Sequence, residues 1–406
     1  MTTLDRRIVI VGSGHAGVEL AAALRQHGHT GPLTIVGDEP DLPYQRPPLS
    51  KEFLKSSDDA GLPLKGEAFY AAKDITLRLG RHAASIDRSA HALELAGGER
   101  LPYDHLVLAT GARNRIPPIP GLDRAPILEL RTLADARRLH ERLDRLRHVA
   151  VIGGGFIGLE VAALLRARSI AVDVVEATPR LMGRVLSARM SAHFRFHHEA
   201  LGTRLHFETL VRGVHETARG CAVVLSSGET IATDAVLVAA GVVPNTELAR
   251  RAGLAVDNGI VADARLVTSD PAISAIGDCV FYPNVHAGGM ARLESVQNAV
   301  DQAKFLAARL CGEDGTYQAT PWFWSNQGSQ RLQIAGLGDG HDDAVTRGDP
   351  LGEKFSIFLY RGEKLLAVES VNAAADHMVA RRLIGQGTAV PKALAADIYA
   401  DLKALL

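Results

Sequence analysis

Two groups of glycines have the spacing that a dinucleotide-binding turn requires. The first follows the apolar run Ile8–Val11 in RIVIVGSGHAGVE and comprises Gly12, Gly14 and Gly17. Glycines in this context make a tight turn, let the backbone approach a pyrophosphate and allow close helix packing. The N-terminus of the following helix supplies amide donors and a partial positive charge. Asp38 lies 21 residues beyond Gly17, where an acceptor for ribose hydroxyls is expected.

The second group repeats this arrangement in HVAVIGGGFIGLE, with Gly153, Gly155 and Gly158. Glu176 ends the next apolar run, VDVVE. A carboxylate there can accept both ribose hydroxyls of NADH, whereas the extra phosphate of NADPH would meet it with like charge. The sequence therefore predicts an NADH site, and Arg180 nearby leaves the degree of residual NADPH use open.

The elements around these turns indicate an α/β protein. Short apolar runs such as Val149–Ile152 and Val172–Val175 alternate with helical patterns, which is typical of buried parallel strands joined by crossover helices. Beyond about Thr320 the pattern changes to alternating strands, KFSIFLYRG and KLLAVESVN, followed by a helix from about Ala374. We expect two Rossmann-like dinucleotide-binding domains and a C-terminal α+β domain.

Composition narrows the class of protein. The 406 residues are 47% hydrophobic and 22% charged with a formal net charge of -1, which gives no overall attraction to nucleic acid. Only seven residues, MTTLDRR, precede the first apolar run, and no stretch has the length of a membrane span. Cys221, Cys279 and Cys311 form no CxxC pair, which disfavours a zinc or disulfide framework. We expect a cytoplasmic protein with no membrane, nucleic-acid or metal partner.

Further motifs resemble those of a known family. LVLATGA, VLVAAGVVPN and TSDPAISAIGDC occur in the order found in flavin-dependent pyridine-nucleotide reductases related to glutathione reductase, and within them in the oxygenase-coupled ferredoxin reductases. The resemblance covers nearly all of the chain. It implies an FAD-binding domain of residues 1–113 and 242–319, an NADH-binding domain of residues 114–241 and a C-terminal interface domain of residues 320–406. The proline-rich segment 111–122 and GVVPN at 241–245 are interpreted as linkers.

The resemblance also assigns FAD ligands. Asp278 would accept a hydrogen bond from the ribityl chain of FAD, and Val296, in RLESVQNAVDQA, would lie near the flavin ring. Together with Gly12, Gly14, Gly17 and Asp38, the other residues implied at the FAD site are Ala16, Lys51, Ala83 and Arg131. Arg131 would act through phosphate.

Two charged residues match those that these reductases hold beside the reactive flavin nitrogen. They are Lys51 in PYQRPPLSK and Glu160 in FIGLE. Lys51 can stabilise the negative charge of reduced flavin, and Glu160 lies one turn into the helix where nicotinamide must arrive. Neither needs to transfer a proton, because the hydride passes directly between the two cofactors.

The electron acceptor is inferred from the C-terminal motif. PWFWSNQGSQRLQIAGL resembles the interface segment of the ferredoxin reductases, which implies that Trp324 lies over the flavin edge. Asn326 and Gly328 depart from the aspartate and tyrosine common in the family. We expect electrons to pass from NADH through FAD to a 2Fe-2S ferredoxin that serves a haem or non-haem oxygenase. A rubredoxin reductase, an NADH oxidase and a redox-responsive binding flavoprotein remain alternatives.

Docking of an acidic ferredoxin to a nearly neutral protein requires a local basic patch. By resemblance, Lys304 and Arg331 border the Trp324 region, and Lys65 lies in a segment expected beside them. Solvated surface roles remain open for all three residues, since exposed charges individually contribute little.

Overall fold

The computed structural model describes residues 4–218 and 220–406. The first three residues of the predicted FAD-binding domain, and of the MTTLDRR segment, therefore lie outside the described residues. Contacts divide the chain into two compact units. The first unit comprises Met1–Gln45, Asp59–Arg113 and Val243–Pro321, and the second comprises Arg46–Asp58, Asn114–Val242 and Trp322–Leu406.

A five-stranded parallel sheet forms the core of the first unit. Its order is Ile273–Ala275, His105–Leu108, Ile8–Val11, Leu33–Val36 and Ile75–Arg78. All four residues of Ile8–Val11 are buried, as expected for a strand covered on both faces. The strand and helix predicted around the first glycine group are confirmed.

Smaller sheets and four helices complete the described residues of the first unit. One antiparallel sheet contains Ala83–Asp87, Ala92–Leu95 and Arg100–Pro102, and a mixed sheet contains Val256–Asp257, Gly259–Val261, Val280–Asn284 and Gly289–Ala291. The helices are His15–Gln26, Glu67–Ala72, Glu247–Arg251 and Val296–Leu310, with a 3-10 turn at Gly277–Cys279. The long helices His15–Gln26 and Val296–Leu310 pack together, through buried residues such as Leu20, Leu306 and Ala303.

The second unit repeats the parallel arrangement. Its sheet has the order Arg204–His206, Ala171–Val175, His148–Ile152, Ala235–Val238 and Ile127–Leu128. An antiparallel sheet of Val211–Thr217, Gly220–Leu225 and Thr230–Thr233 accompanies it. The helices of this part are Glu52–Ser56, Leu133–Arg142, Phe156–Ala167 and Ala188–Ala200, with 3-10 turns at Pro47–Ser50 and Leu143–Arg145. The second predicted Rossmann-like fold is confirmed.

The C-terminal part of the second unit is an antiparallel sheet covered by helices. The strand order is Trp322–Gln327, Gln330–Gly336, Lys364–Val371, Phe355–Arg361 and Asp343–Gly348. Its helices are Ala374–Gln386 and Lys392–Ala396, with a 3-10 turn at Leu402–Leu405. Phe358 and Val368 of the sheet pack with Ala380 and Leu383 of the first helix. The predicted α+β pattern is confirmed.

The two predicted linkers each contain a short strand. These strands are Ala112–Asn114 and Val242–Pro244, and each lies where the chain passes from one unit to the other. The predicted fold class, α/β with two Rossmann-like folds and a C-terminal α+β part, describes the structure.

Candidate functional site: two dinucleotide turns and a buried ion pair

The first glycine turn leaves no space for larger side chains at two of its positions. Gly12 has a φ of 123°, and a Cβ there would lie 2.0 Å from the carbonyl oxygen of Ala109. A Cβ on Gly17 would lie 2.0 Å from the carbonyl oxygen of Gly12. Only glycine allows both the turn and the close approach of helix His15–Gln26 to strand Ile8–Val11.

Gly14 differs because it faces open space. It caps helix His15–Gln26, and a Cβ built on it would meet nothing within 4 Å. The unpaired amides at a helix N-terminus can receive an anion there. Ala16, on the first turn, is buried, and its Cβ would be 3.3 Å from a Cβ on Gly277. The turn has the shape that a pyrophosphate requires.

The remaining FAD candidates of the first unit occupy several elements. Asp38 is exposed just after strand Leu33–Val36. Ala83 begins a strand and is buried. Asp278 is half-buried within the 3-10 turn, and the side chain of Gln302 accepts a 2.7 Å hydrogen bond from the amide of Gly277. Val296 is the first residue of its helix, after the N-cap Ser295.

The second glycine turn repeats the first. Gly153 has a φ of 107°, and a Cβ there would lie 2.4 Å from the carbonyl oxygen of Ala239. A Cβ on Gly158 would lie 2.5 Å from the carbonyl oxygen of Gly153. Gly155 caps helix Phe156–Ala167 and faces open space. The structure therefore fits a dinucleotide pyrophosphate at this turn as well.

Glu176 lies beside this turn. One carboxylate oxygen accepts a hydrogen bond from the amide of Gly154 at 2.7 Å. The other accepts from the amide of Thr178 at 2.8 Å and from its hydroxyl at 2.7 Å. These contacts fix the orientation of Glu176 and leave acceptor capacity for ribose hydroxyls, because a carboxylate has about four acceptor sites. Arg180 binds the carbonyl oxygens of Gly183 and Leu186 and thereby shapes the loop that follows.

Lys51 and Glu160, the two residues expected beside the flavin, form an ion pair within the second unit. Lys51 Nζ lies 2.6 Å from Glu160 Oε2, with the lysine side chain 15% and the glutamate side chain 2% exposed. Ser50 donates to the same oxygen at 2.5 Å. The other oxygen accepts from Ser325 Oγ at 2.7 Å and from the amide of Asn326 at 3.3 Å. Breaking such a buried pair by removing one partner leaves a charge without compensation.

Sequence reasoning missed Ser50 and Ser325 as partners of Glu160. Each stands directly beside a residue that the sequence singled out, Lys51 and Trp324. That adjacency was the available signal, although nothing in the sequence shows that segments 110 and 165 residues from Glu160 converge on it.

Arg131 also belongs to the second unit, as does Trp324. Arg131 precedes the helix N-cap Thr132, is half-buried, and its carbonyl oxygen accepts from Arg46 at 2.6 Å. The indole rings of Trp324 and Trp322 have centroids 5.5 Å apart. Trp324 is half-buried and retains partial access to solvent.

The three predicted docking residues are divided between the units. Lys65 and Lys304 belong to the first unit, and Arg331 belongs to the second. Lys304 Nζ lies 3.5 Å from Glu19 Oε1, and the lysine side chain is 57% exposed. Lys65 lies over the ring of Phe69, and Arg331 is exposed on its strand. Each is accessible to a partner protein.

The cysteines are free thiols. Cys221 and Cys279 are buried, and Cys311 is half-buried. Burial raises the pKa of Cys221 to about 11 and raises the pKa of Cys279 as well. Both thiols therefore stay protonated and unreactive at neutral pH.

Residues 4–218 and 220–406 contain no group of three or more His, Cys, Asp or Glu side chains placed to hold a metal ion. Among these residues, no helix is long and apolar enough to cross a membrane.

Two dinucleotide turns, each on its own parallel sheet, define a nucleotide-dependent oxidoreductase with two Rossmann-like folds. The chain belongs to the pyridine nucleotide-disulphide oxidoreductase family, which it matches over residues 6–303. Residues 322–406 match the family described as Reductase C-terminal.

The chain is similar to characterised reductases over nearly its whole length. Rhodocoxin reductase of Rhodococcus erythropolis is 48% identical over 398 residues, covering 98% of this chain and 93% of that protein. Putidaredoxin reductase of Pseudomonas putida is 37% identical, covering 98% of this chain and 96% of that protein.

Solved structures give the same picture. The ferredoxin reductase for the CYP199A2 system of Rhodopseudomonas palustris superposes with a TM-score of 0.96 at 45% identity, covering 98% of this chain and 99% of that one. The reductase of the covalent putidaredoxin reductase–putidaredoxin complex superposes with a TM-score of 0.94 at 37% identity, covering 98% of each chain.

Proposed function

We propose that the protein is an NADH-dependent flavoprotein reductase that passes electrons through FAD to a 2Fe-2S ferredoxin serving a haem or non-haem oxygenase. The observation that carries this proposal is the pair of open glycine turns, of which the second presents an oriented carboxylate, Glu176. Relatives named as ferredoxin reductases of oxygenase systems support the acceptor. When bound, FAD accepts two electrons as hydride and releases them one at a time.

The residues of the chain have separate tasks in this reaction. Gly153, Gly155 and Gly158 admit the pyrophosphate of NADH, and Glu176 accepts its ribose hydroxyls. For FAD we assign the corresponding tasks to the first turn and Asp38, with further contacts from Ala16, Ala83, Asp278, Val296, Lys51 and Arg131. Lys51 supplies positive charge against reduced flavin, and Glu160 holds the lysine in place.

The interface assignments concern the acceptor. We assign Trp324 to the flavin edge that faces the ferredoxin, and Lys65, Lys304 and Arg331 to electrostatic docking. Charge reversal at Lys304 or Arg331 should slow ferredoxin reduction at low salt while NADH-to-ferricyanide activity stays near native. Lys364→Glu, at another exposed position, is the matched control. Native ferredoxin rates in both variants across a salt series would refute the docking assignment.

The domain boundaries follow from the same proposal. We assign residues 1–113 and 242–319 to FAD, residues 114–241 to NADH and residues 320–406 to the interface. The oxidation of cytosolic NADH and the three free cysteines favour a cytoplasmic location.

A rubredoxin reductase is the second candidate. The rubredoxin-NAD(+) reductase of Pseudomonas putida is 38% identical over 369 residues, which cover 90% of this chain. Asn326 and Gly328, which depart from the ferredoxin reductase pattern, leave room for this partner.

One assay separates the candidates. NADH oxidation is measured with a 2Fe-2S ferredoxin, a rubredoxin or oxygen as the only acceptor. We expect the ferredoxin to give the highest kcat/KM. A preference for rubredoxin or oxygen would replace the proposed acceptor, and slow turnover with all three beside NADH-dependent dimerisation would indicate a binding flavoprotein.

A further inference from the structure

A line of buried side chains ends on the carboxylate of Glu160. Ser325 Oγ lies 2.7 Å from Glu160 Oε1, and Gln327 Nε2 lies 3.2 Å from Ser325 Oγ. His198 Nε2 lies 2.8 Å from Gln327 Oε1. All four residues belong to the second unit and are at most 4% exposed.

The chemistry of these groups fixes the direction of each hydrogen bond. Glu160, paired with Lys51, can only accept, so the single hydroxyl proton of Ser325 goes to Glu160. Ser325 must then accept from the Gln327 amide, whose carbonyl accepts from the protonated Nε2 of His198. Burial lowers the pKa of His198 to about 4, so its ring is neutral at pH 7. Every donor therefore points toward Glu160.

Gln327 is itself held in place on two sides. Its carbonyl oxygen on the backbone lies 3.0 Å from His197 Nε2, and its side-chain amide also lies 3.4 Å from Met182 Sδ. A side chain held in this way cannot rotate to release Ser325 without breaking several contacts.

The opposite oxygen of Glu160 holds a different segment. Its Oε2 accepts from Lys51 and Ser50, which belong to residues 46–58 of the second unit. Fixing Oε1 through Ser325 therefore fixes the direction in which Oε2 meets Lys51.

We propose that Ser325, Gln327 and His198 are positioning residues that hold the Glu160 carboxylate in register with Lys51 for hydride transfer from NADH. Ser325 is the only one of the three that touches Glu160 among the described residues. The inference rests on the proposed function for its kinetic consequence, but its structural consequence can be measured without NADH.

The structural test is hydrogen exchange of the flavin-loaded protein without NADH. Ser325→Ala removes the hydroxyl donor to Glu160 Oε1 and leaves that oxygen the longer, 3.3 Å hydrogen bond from the amide of Asn326. Amides in Pro47–Ser50 and Glu52–Ser56 should therefore exchange at least about fivefold faster. Ser356→Ala is the matched control, because Ser356 is equally buried in the same sheet and its hydroxyl lies 2.9 Å from Ser370 Oγ and 2.8 Å from Asp376 Oδ2. Equal exchange of these segments in the two variants would refute the positioning role.

The kinetic test is stopped-flow reduction of the flavin by NADH. In Ser325→Ala the limiting rate should fall about tenfold, as expected for losing a hydrogen bond to a charged group. The NADH concentration at half-saturation should change less than about twofold, because Glu176 and the glycine turn are untouched. A change confined to half-saturation would overturn the inference.

A second variant covers the case in which Ser325→Ala does not fold. Gln327→Met keeps the volume but removes the donor to Ser325. Amide exchange should again be faster and flavin reduction slower, but both changes should be smaller than in Ser325→Ala. Wild-type protein that is not reduced by NADH would refute the proposed function, whereas an active wild type with unaffected variants would refute only the positioning role.

Discussion

The two dinucleotide turns have the same backbone arrangement and differ in the side chains that pack against it. Gly12 donates its amide to Val36 at 2.8 Å, and Gly153 donates to Val175 at 2.9 Å. These equivalent bonds align the strands that follow, so that Gly37 in the first unit corresponds to Glu176 in the second. The acid of the first unit, Asp38, is therefore displaced by one residue.

The displacement has a packing cause. A Cβ on Gly37 would lie 2.3 Å from the hydroxyl of Ser13, whereas a Cβ on Gly154 would lie 3.2 Å from Glu176 Oε2. Ser13 faces Gly37 in the first turn, and Glu176 faces Gly154 in the second. One residue of each pair is therefore a glycine, and the side chain of the other fills the space. Equal glycine spacing therefore does not imply an equal position for the acid that binds the ribose hydroxyls.

The largest expected effects come from the glycines that the two turns share. Gly12→Ala and Gly153→Ala each place a Cβ within 2.4 Å of a carbonyl carbon or oxygen, at a positive φ. Each should lower the free energy of unfolding by about 3 kcal/mol, measured by chemical denaturation. Gly14→Ala and Gly155→Ala, which face open space, are the controls and should cost about 1 kcal/mol or less. Equal losses in all four variants would show that the steric limit at Gly12 and Gly153 does not set the stability of the turns.

Buried titratable groups make the stability of the protein depend on pH. In the first unit, burial lowers the pKa of His105 to about 3, and its ring lies 3.0 Å from Ser274 Oγ. A depressed histidine pKa means that the unfolded chain binds more protons, so stability is lost as the pH falls below 6.5. Between pH 7 and pH 5 this loss should be about 2 kcal/mol. His105→Gln should remove that part of the pH dependence in urea unfolding, and an unchanged pH slope would contradict it.

The preference for NADH over NADPH tests the role of Glu176, which lies beside the second turn. NADH should exceed NADPH in kcat/KM, and Glu176→Ala should narrow the ratio at least about tenfold, or roughly 1.4 kcal/mol. Ferricyanide reduction with either NADH or NADPH as the electron donor gives the two kcat/KM values. Asp38→Ala, at the first turn, should leave the ratio unchanged and instead weaken FAD retention. Equal use of both cofactors by the wild type would contradict the assignment of Glu176.

Glu369, in the second unit, changes stability with pH in the opposite direction to His105. Glu369 accepts from the amide of Ser187 at 2.7 Å and from its hydroxyl at 2.5 Å, and burial raises its pKa to about 6. A raised carboxyl pKa adds stability below its unfolded value near 4.5, which is lost as the pH rises through 6. Going from pH 7 to pH 5 should therefore add about 1 kcal/mol. Glu369→Gln should abolish that gain in the same unfolding series, and a gain that persists would show that another group is responsible.

The sequence was sufficient for the parts of the molecule that local patterns determine. Both glycine turns, the strands before them and the C-terminal strands follow from apolar periodicity and turn chemistry. The resemblance added Asp278, Arg131 and Val296, whose chemistry no local pattern reveals.

What could not be predicted depends on contacts between distant segments. The hydroxyls of Ser50 and Ser325 reach Glu160 from 110 and 165 residues away, and His198 meets Gln327 across 129 residues. Serine, glutamine and histidine are ordinary residues in a sequence, and only packing reveals that these lie in one buried line.

An anaerobic titration of the flavin-loaded protein tests the proposed function most directly. One NADH per bound FAD should bleach the flavin absorbance, and the reduced protein should then reduce two equivalents of a 2Fe-2S ferredoxin. NADPH at the same concentration should bleach the flavin more slowly, because its extra phosphate must approach the carboxylate of Glu176. A protein that NADH bleaches but that transfers no electrons to any 2Fe-2S ferredoxin would contradict the proposed function.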